Sequence, residues 1–230
     1  RLRDASGDAV SAFELIPRIG VELAVKHIPG NVDPLARPFP WYALTDLTAG
    51  TAGAGLKPIL EEVLARAADD GLVLDAAIAS SEGQARQLWH LRESLSDAQR
   101  LEGGTIKHDV SVPVSRTADF LREATAAVEA ALPGVRVVAF GHVGDGNLHF
   151  NLSQPAGADK EAFLARWGAF NDLVHAIVAR MDGSISAEHG IGRLKRDELR
   201  VYRSETELDA MRAIKRALDP RGIMNPGKLL

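Results

Sequence analysis

The spacing of apolar positions changes several times along the chain, and each change marks an element. Residues 6–27 read as a helix, capped at Ser6 or Asp8, with Phe13, Ile16, Gly20 and Leu23 at helical intervals and Pro29 and Pro34 beyond its end. Residues 41–47 read as a strand. A loop over 48–53 follows, then an amphipathic helix marked by Leu56, Ile59, Leu60, Val63, Leu64 and Ala67 and stopped by Gly71. A second strand is predicted over 72–79, a long helix over 84–100, and a third strand over 106–112 closed by Pro113. Phe120, Leu121, Ala124, Val128, Ala131 and Leu132 define a third helix. Strands over 135–142 and 147–152 flank Asp145-Gly146, a helix covers 160–181, and a last one runs near 205–218.

Strands alternate with helices until about residue 135, where one strand passes directly into the next. This order predicts an α+β fold: a largely antiparallel sheet covered by helices, built as a duplicated ferredoxin-like cap with a C-terminal helical tail. A dinucleotide-binding sheet fits less well. The Gly-rich stretch 48–55 lacks both the P-loop Lys-Ser/Thr and the dinucleotide glycine spacing, and reads as a flexible turn.

Composition narrows the chemistry. The 230 residues are 46% hydrophobic, enough for one sizeable core or two small ones sharing an interface. The 27 basic and 31 acidic residues are interspersed, so no nucleic-acid or membrane surface is expected and no apolar run reaches spanning length. A small acidic substrate must then be gripped by individually placed cations. With no cysteine, any metal must be held by His, Asp and Glu. Arg1 gives neither an initiator Met nor a secretory signal, which suggests a start within a longer protein, and the expected location is cytoplasmic.

The segment from Phe140 to Asn151 carries the strongest local signal. If Asp145 and Gly146 form a two-residue turn, the register pairs 144 with 147, 143 with 148 and His142 with His149. The two imidazoles would then converge on one ion, with Asn151 two residues on along the same face. A surface hairpin with two solvated histidines is the alternative.

Glu188 and His189 stand together before Gly190 and Gly192. Neighbours on a strand point to opposite faces, so both enter one site only where the backbone turns, which the glycines permit. Glu188 would complete a two-His, one-carboxylate set, and His189 would be left to act as a general base. A loop whose charges face water is the other reading. Arg92 and Ser96 share a stripe of the 84–100 helix, and Lys107 lies on the face of its strand opposite Ile106, His108 and Val110. Together they can bind a carboxylate; alternatively Arg92 pairs with Glu93 or Asp109 in a structural ion pair.

Three segments carry a family resemblance: Gly141 to His149, Ser184 to Gly192, and Asp219-Pro220-Arg221-Gly222-Ile223-Met224-Asn225-Pro226-Gly227-Lys228. With Ala12-Phe13-Glu14-Leu15, Leu88-Trp89-His90-Leu91-Arg92-Glu93 and Lys107-His108-Asp109-Val110-Ser111-Val112-Pro113, they span nearly the whole chain. The chain resembles the C-terminal half of FAD-linked oxidases of the vanillyl-alcohol oxidase type. Within them it is similar to the branch of D-2-hydroxyglutarate and D-lactate dehydrogenases and the flavin subunit of glycolate oxidase.

The resemblance implies oxidation of a small D-2-hydroxy acid to the 2-oxo acid by hydride transfer to FAD. It implies a divalent metal, zinc by preference, on His142, His149 and Glu188, with His189 taking the hydroxyl proton and Asn151 assisting. Arg92, Ser96 and Lys107 would hold the substrate, Ser96 standing where the hydroxyglutarate enzymes usually carry threonine, and Asn225 and Lys228 would reach the flavin. Asp182 stands where glycine is common, a departure expected to alter the turn more than the chemistry. Residues 1–230 are expected to be the cap and substrate domain alone, inactive without an N-terminal FAD-binding domain that this chain does not contain. Further expected partners are an electron acceptor and a second copy in a homodimer. A non-enzymatic metal or hydroxy-acid binding module is the alternative function. A metal-dependent hydrolase would leave the Asn225-Pro226-Gly227-Lys228 tail unexplained.

Overall fold

A computed structural model describes residues 1–51 and 55–230. The chain begins with a one-turn helix, α1 (Leu2–Ala5), followed by β1 (Val10–Pro17), α2 (Arg18–His27) and β2 (Trp41–Leu47). Helices α3 (Leu56–Asp69), α4 (Glu82–Glu93) and α5 (Leu95–Arg100) lead to β3 (Thr105–Ser111). A 3₁₀ turn and α6 (Thr117–Ala131) precede β4 (Arg136–His142) and β5 (Asn147–Ser153). Helices α7 (Lys160–Leu164), α8 (Trp167–Arg180), α9 (Arg196–Tyr202) and α10 (Glu205–Leu218) complete the chain.

The strands form one antiparallel sheet in the order β2-β1-β4-β5-β3. The run β3-α6-β4-β5-α8 has the ferredoxin-like order, in which the hairpin strand β5 returns beside β3. Side chains alternate across the sheet, so its faces carry separate cores. Ile106, Val110, Ala139, Leu148, Phe150 and Leu152 pack under α6 and α8 with Phe120, Val174 and Val178. Val138 and Phe140 point the other way, against Ile16, Val21, Leu91 and Leu95 from β1, α2, α4 and α5.

Several elements depart from the sequence pattern. Residues 10–17, predicted as part of a helix over 6–27, form β1, because they fill the slot between β2 and β4 and their Ser11/Ala12/Phe13/Glu14 exposure alternates as a strand's does. Pro17 ends the strand in an extended conformation and opens α2. Among the described residues, the strand predicted over 72–79 has no ladder partner, and Leu72 and Leu74 stay 66% exposed. The helix predicted over 84–100 breaks at Ser94, whose hydroxyl donates to His90 O (2.6 Å) and accepts from the buried Asn31 amide (3.0 Å). The helix predicted over 160–181 breaks at Ala165-Arg166, where Arg166 swings over Phe170 and caps the Ala131 carbonyl at the end of α6. Helix α9 is an addition to the predicted elements. The 48–55 turn falls partly on residues 52–54, outside the described residues.

Candidate metal and substrate site

The hairpin differs from its predicted register by two residues. Phe140, not His142, pairs with His149, and residues 143–146 make the connection. The Asp145 side chain accepts the Asn147 N–H (2.9 Å) while its own N–H reaches His142 O (3.2 Å), so Asn147 cannot pair with Gly144 in a two-residue turn. A slip of two preserves the face. His142 and His149 therefore remain on one side of the sheet, diagonal rather than opposed, with ring centroids 6.1 Å apart.

The second part of the site arrives from the loop after α8. Ser111 and Ser184 exchange backbone hydrogen bonds at 3.0 and 2.8 Å, docking the loop on the free edge of β3. Gly190 and Gly192 adopt positive φ angles of 76° and 57°, the turn expected from the sequence. Glu188 thereby comes within 3.2 Å of His149 Nε2 and 4.0 Å of His142 Nε2. The His189 ring stacks on His149 at 5.8 Å and is 63% exposed.

Two buried acids absent from the predicted set hold these groups. Asp109, 3% exposed, lies opposite His149 in the β3–β5 ladder. Its Oδ2 accepts the backbone N–H of Glu188 (3.0 Å) and of His189 (2.8 Å). Its Oδ1 has no hydrogen-bond partner among the described residues and lies 3.9 Å from His149 Nδ1. Glu14, on β1 opposite His142, meets His142 Nδ1 at 2.5 Å and the Arg92 guanidinium at 2.7 Å. The sequence offered Arg92 a partner in Glu93 or Asp109; the partner is Glu14, 78 positions away. An acid inside a strand of otherwise apolar pattern was the available signal for Glu14.

The remaining predicted residues spread around this centre. Lys107 is exposed on the same face of β3 as Asp109, opposite Asn151. Asn151 is buried and donates to Gln99 Oε1 (3.0 Å), which in turn reaches Ser153. Ser96 is exposed on α5, two residues past the break at Ser94. Asn225 and Lys228 are exposed in the tail, which is tied to the site loop where Leu229 N donates to Gly192 O (2.9 Å).

Burial pushes the His149 imidazole below its usual range, against the opposing pull of Asp109 and Glu188, which favours the neutral form that ligates metal. Two imidazoles and a carboxylate are a donor set suited to zinc. About Glu188 the His149 and His142 Nε2 atoms stand at 3.2 and 4.0 Å, with Asp109 Oδ1 behind His149, so these residues could hold a divalent cation. Asp109, His149, Glu188 and His189 also offer ligand atoms within 4.8 Å of one another, an overlapping set. The two sets share His149 and Glu188; one adds His142, the other Asp109 and His189.

On the opposite face of the sheet His108 and His175 form a second buried pair, ring centroids 5.7 Å apart. His108 Nδ1 bonds Phe150 O (2.8 Å) and His175 Nδ1 bonds Glu198 (2.5 Å). Burial lowers both to about 4.

The family described as FAD linked oxidases, C-terminal domain, matches residues 1–229. The chain is 40% identical over 226 residues to D-2-hydroxyglutarate dehydrogenase of Stutzerimonas stutzeri (strain A1501), covering 96% of this chain and 47% of that protein. It is 39% identical over 225 residues to the protein of that name from Xanthomonas citri pv. viticola, covering 96% and 46%. The mitochondrial D-2-hydroxyglutarate dehydrogenase of Arabidopsis thaliana is 33% identical over 224 residues, 97% of this chain and 38% of that one. The chain thus spans less than half the length of these curated relatives.

Proposed function

Because the chain belongs to the FAD-linked oxidases through their C-terminal domain, we propose that it is the metal- and substrate-binding part of a flavoprotein that oxidises a D-2-hydroxy acid to the 2-oxo acid. The observation that carries this reading is the convergence of His142, His149 and Glu188, with His189 stacked beside them. D-2-hydroxyglutarate heads the substrate class, ahead of D-lactate and glycolate, since relatives of this chain bear its name.

In this reading His142, His149 and Glu188 would hold a zinc ion, which when bound would lower the pKa of the substrate hydroxyl. His189 takes the hydroxyl proton at Nε2, its Nδ1 being turned toward Asp109 at 3.7 Å. Arg92 and Lys107 orient the acid from the same face of the sheet, with Ser96 at the rim and Asn151 fixed beneath by Gln99. Asn225 and Lys228, exposed beside the site loop, meet a flavin whose main binding domain lies elsewhere in the protein and which supplies the two-electron acceptor. The reading includes a separate electron acceptor for the protein and a homodimer as its assembly. Among the described residues no helix is long and apolar enough to cross a membrane. Plant and animal relatives are named mitochondrial and the bacterial ones are not, and the proposal keeps the cytoplasm for this chain.

The test is anaerobic flavin bleaching by the full-length protein with D-2-hydroxyglutarate, D-lactate and glycolate, before and after chelation. Bleaching by one of these acids, abolished by chelator and restored by Zn²⁺, is the expected result. Chelator-insensitive bleaching would remove the metal, and no bleaching by any of the three would remove the reaction class.

A further inference from the structure

Glu14 has no role in the reaction as proposed, yet it is one of the most buried charged groups in the chain, 2% exposed in β1. An interior carboxylate loses hydration worth several kcal/mol, which stands uncompensated unless its oxygens are fully paired. Both are. Oε1 meets His142 Nδ1 at 2.5 Å, while Oε2 takes Nε and Nη2 of Arg92, each at 2.7 Å. The guanidinium is fixed from a second side by Phe140, over whose ring it lies at 4.8 Å.

The chemistry of each contact is directional. An anionic acceptor at Nδ1 keeps the imidazole proton there and leaves the lone pair on Nε2, the atom that faces Glu188. On Arg92, the edge carrying Nε and Nη2 is committed to Glu14, so Nη1 is left to meet a substrate carboxylate. Register explains how one side chain serves both: Glu14 lies directly opposite His142 where β1 joins β4, and Arg92 reaches it from α4 above.

We propose that Glu14 is a positioning residue of this site, setting the tautomer and ring orientation of His142 with one oxygen and the place of Arg92 with the other. The separation between the metal and the carboxylate-binding cation is thereby fixed by one carboxylate. This inference rests on the metal role proposed for His142.

The test uses the full-length protein, stripped of metal and titrated with Zn²⁺ against a chromophoric chelator, as wild type, Glu14→Gln, Glu14→Gln with Arg92→Met, and His142→Ala. Glutamine keeps the shape and removes the charge. The double variant leaves no unpaired buried cation, so it decides the matter if Glu14→Gln alone does not fold. The expected result is that the folded variants lacking Glu14 bind Zn²⁺ roughly tenfold or more weakly than wild type, the loss typical of a removed histidine partner. Wild-type Zn²⁺ affinity in those variants, with His142→Ala abolishing binding, would overturn the inference and leave the metal reading standing. Failure of the wild type to take up Zn²⁺ in a manner sensitive to His142→Ala would overturn both.

Discussion

Asp109 holds His189 by its backbone rather than by its ring: Oδ2 accepts the His189 N–H at 2.8 Å, while the ring Nδ1 stays 3.7 Å away. The same oxygen accepts the Glu188 N–H at 3.0 Å. A proposed base and a proposed ligand are thus placed by one buried carboxylate from a strand 80 positions earlier in the chain.

Asp109→Ala should therefore release the loop. Hydrogen bonds to a charged acceptor are worth about 1.5–3 kcal/mol each, so a loss on the order of 3 kcal/mol is expected for the pair. Chemical denaturation of the full-length protein measures it, and turnover should fall with it. Unchanged stability would mean that backbone ties, the Ser111–Ser184 bridge and Ala187 N to Asp109 O, dock the loop without the carboxylate.

His189→Gln separates proton transfer from metal capture. Turnover is expected to drop by roughly 10²–10⁴, the usual contribution of a general base, with Zn²⁺ affinity close to wild type. Loss of Zn²⁺ affinity to the degree seen in Glu188→Gln would place His189 in the ligand set instead.

The turn after α8 offers a paired test. Asp182 has a φ of +57° where related proteins are expected to carry glycine, so Asp182→Gly should stabilise by roughly 1 kcal/mol through relief of left-handed strain. At Gly183 an added Cβ would stand 2.3 Å from Ser111 O, so Gly183→Ala should destabilise and prise the loop from β3. Thermal unfolding of the two variants should move in opposite directions.

Acid should weaken the protein in two steps. His108 and His175 are held near 4, below their ordinary 6.5, so the unfolded chain binds protons that the folded chain refuses. Their contribution is complete above pH 6.5 and is lost as pH falls toward 4. Glu102, lowered to about 2 by Lys26, His27 and Arg136, contributes above 4.5 and is lost between there and 2. Denaturation midpoints against pH should show both slopes, and His175→Gln should flatten the upper one alone.

What the sequence made legible was set by the range of the interactions. β2 and α10 were readable because the patterns that mark them are local to each segment, and the predicted 41–47 and 205–218 coincide with them. β1 was not, because Phe13, Ile16 and Gly20 happen to fit a helical period while its strand character depends on neighbours far along the chain. His142, His149 and Glu188 were found as a set even though the hairpin register was off by two. Glu14 and Asp109 were missed as organisers, since their partners lie up to 128 positions away and no spacing within one element announces such a pair.

The alternation on β5 has a further consequence. His149 and Asn151 face the candidate site while Leu148, Phe150 and Leu152 fill the core behind it, so the strand is written in two interleaved registers of odd and even parity. Deleting one residue near its start would exchange the two, driving imidazole and amide into the apolar layer and leucine toward the candidate site. Deleting two would preserve parity. In this strand, length variation is thus filtered by arithmetic before chemistry is tested, and only even steps leave folding and binding on their own sides.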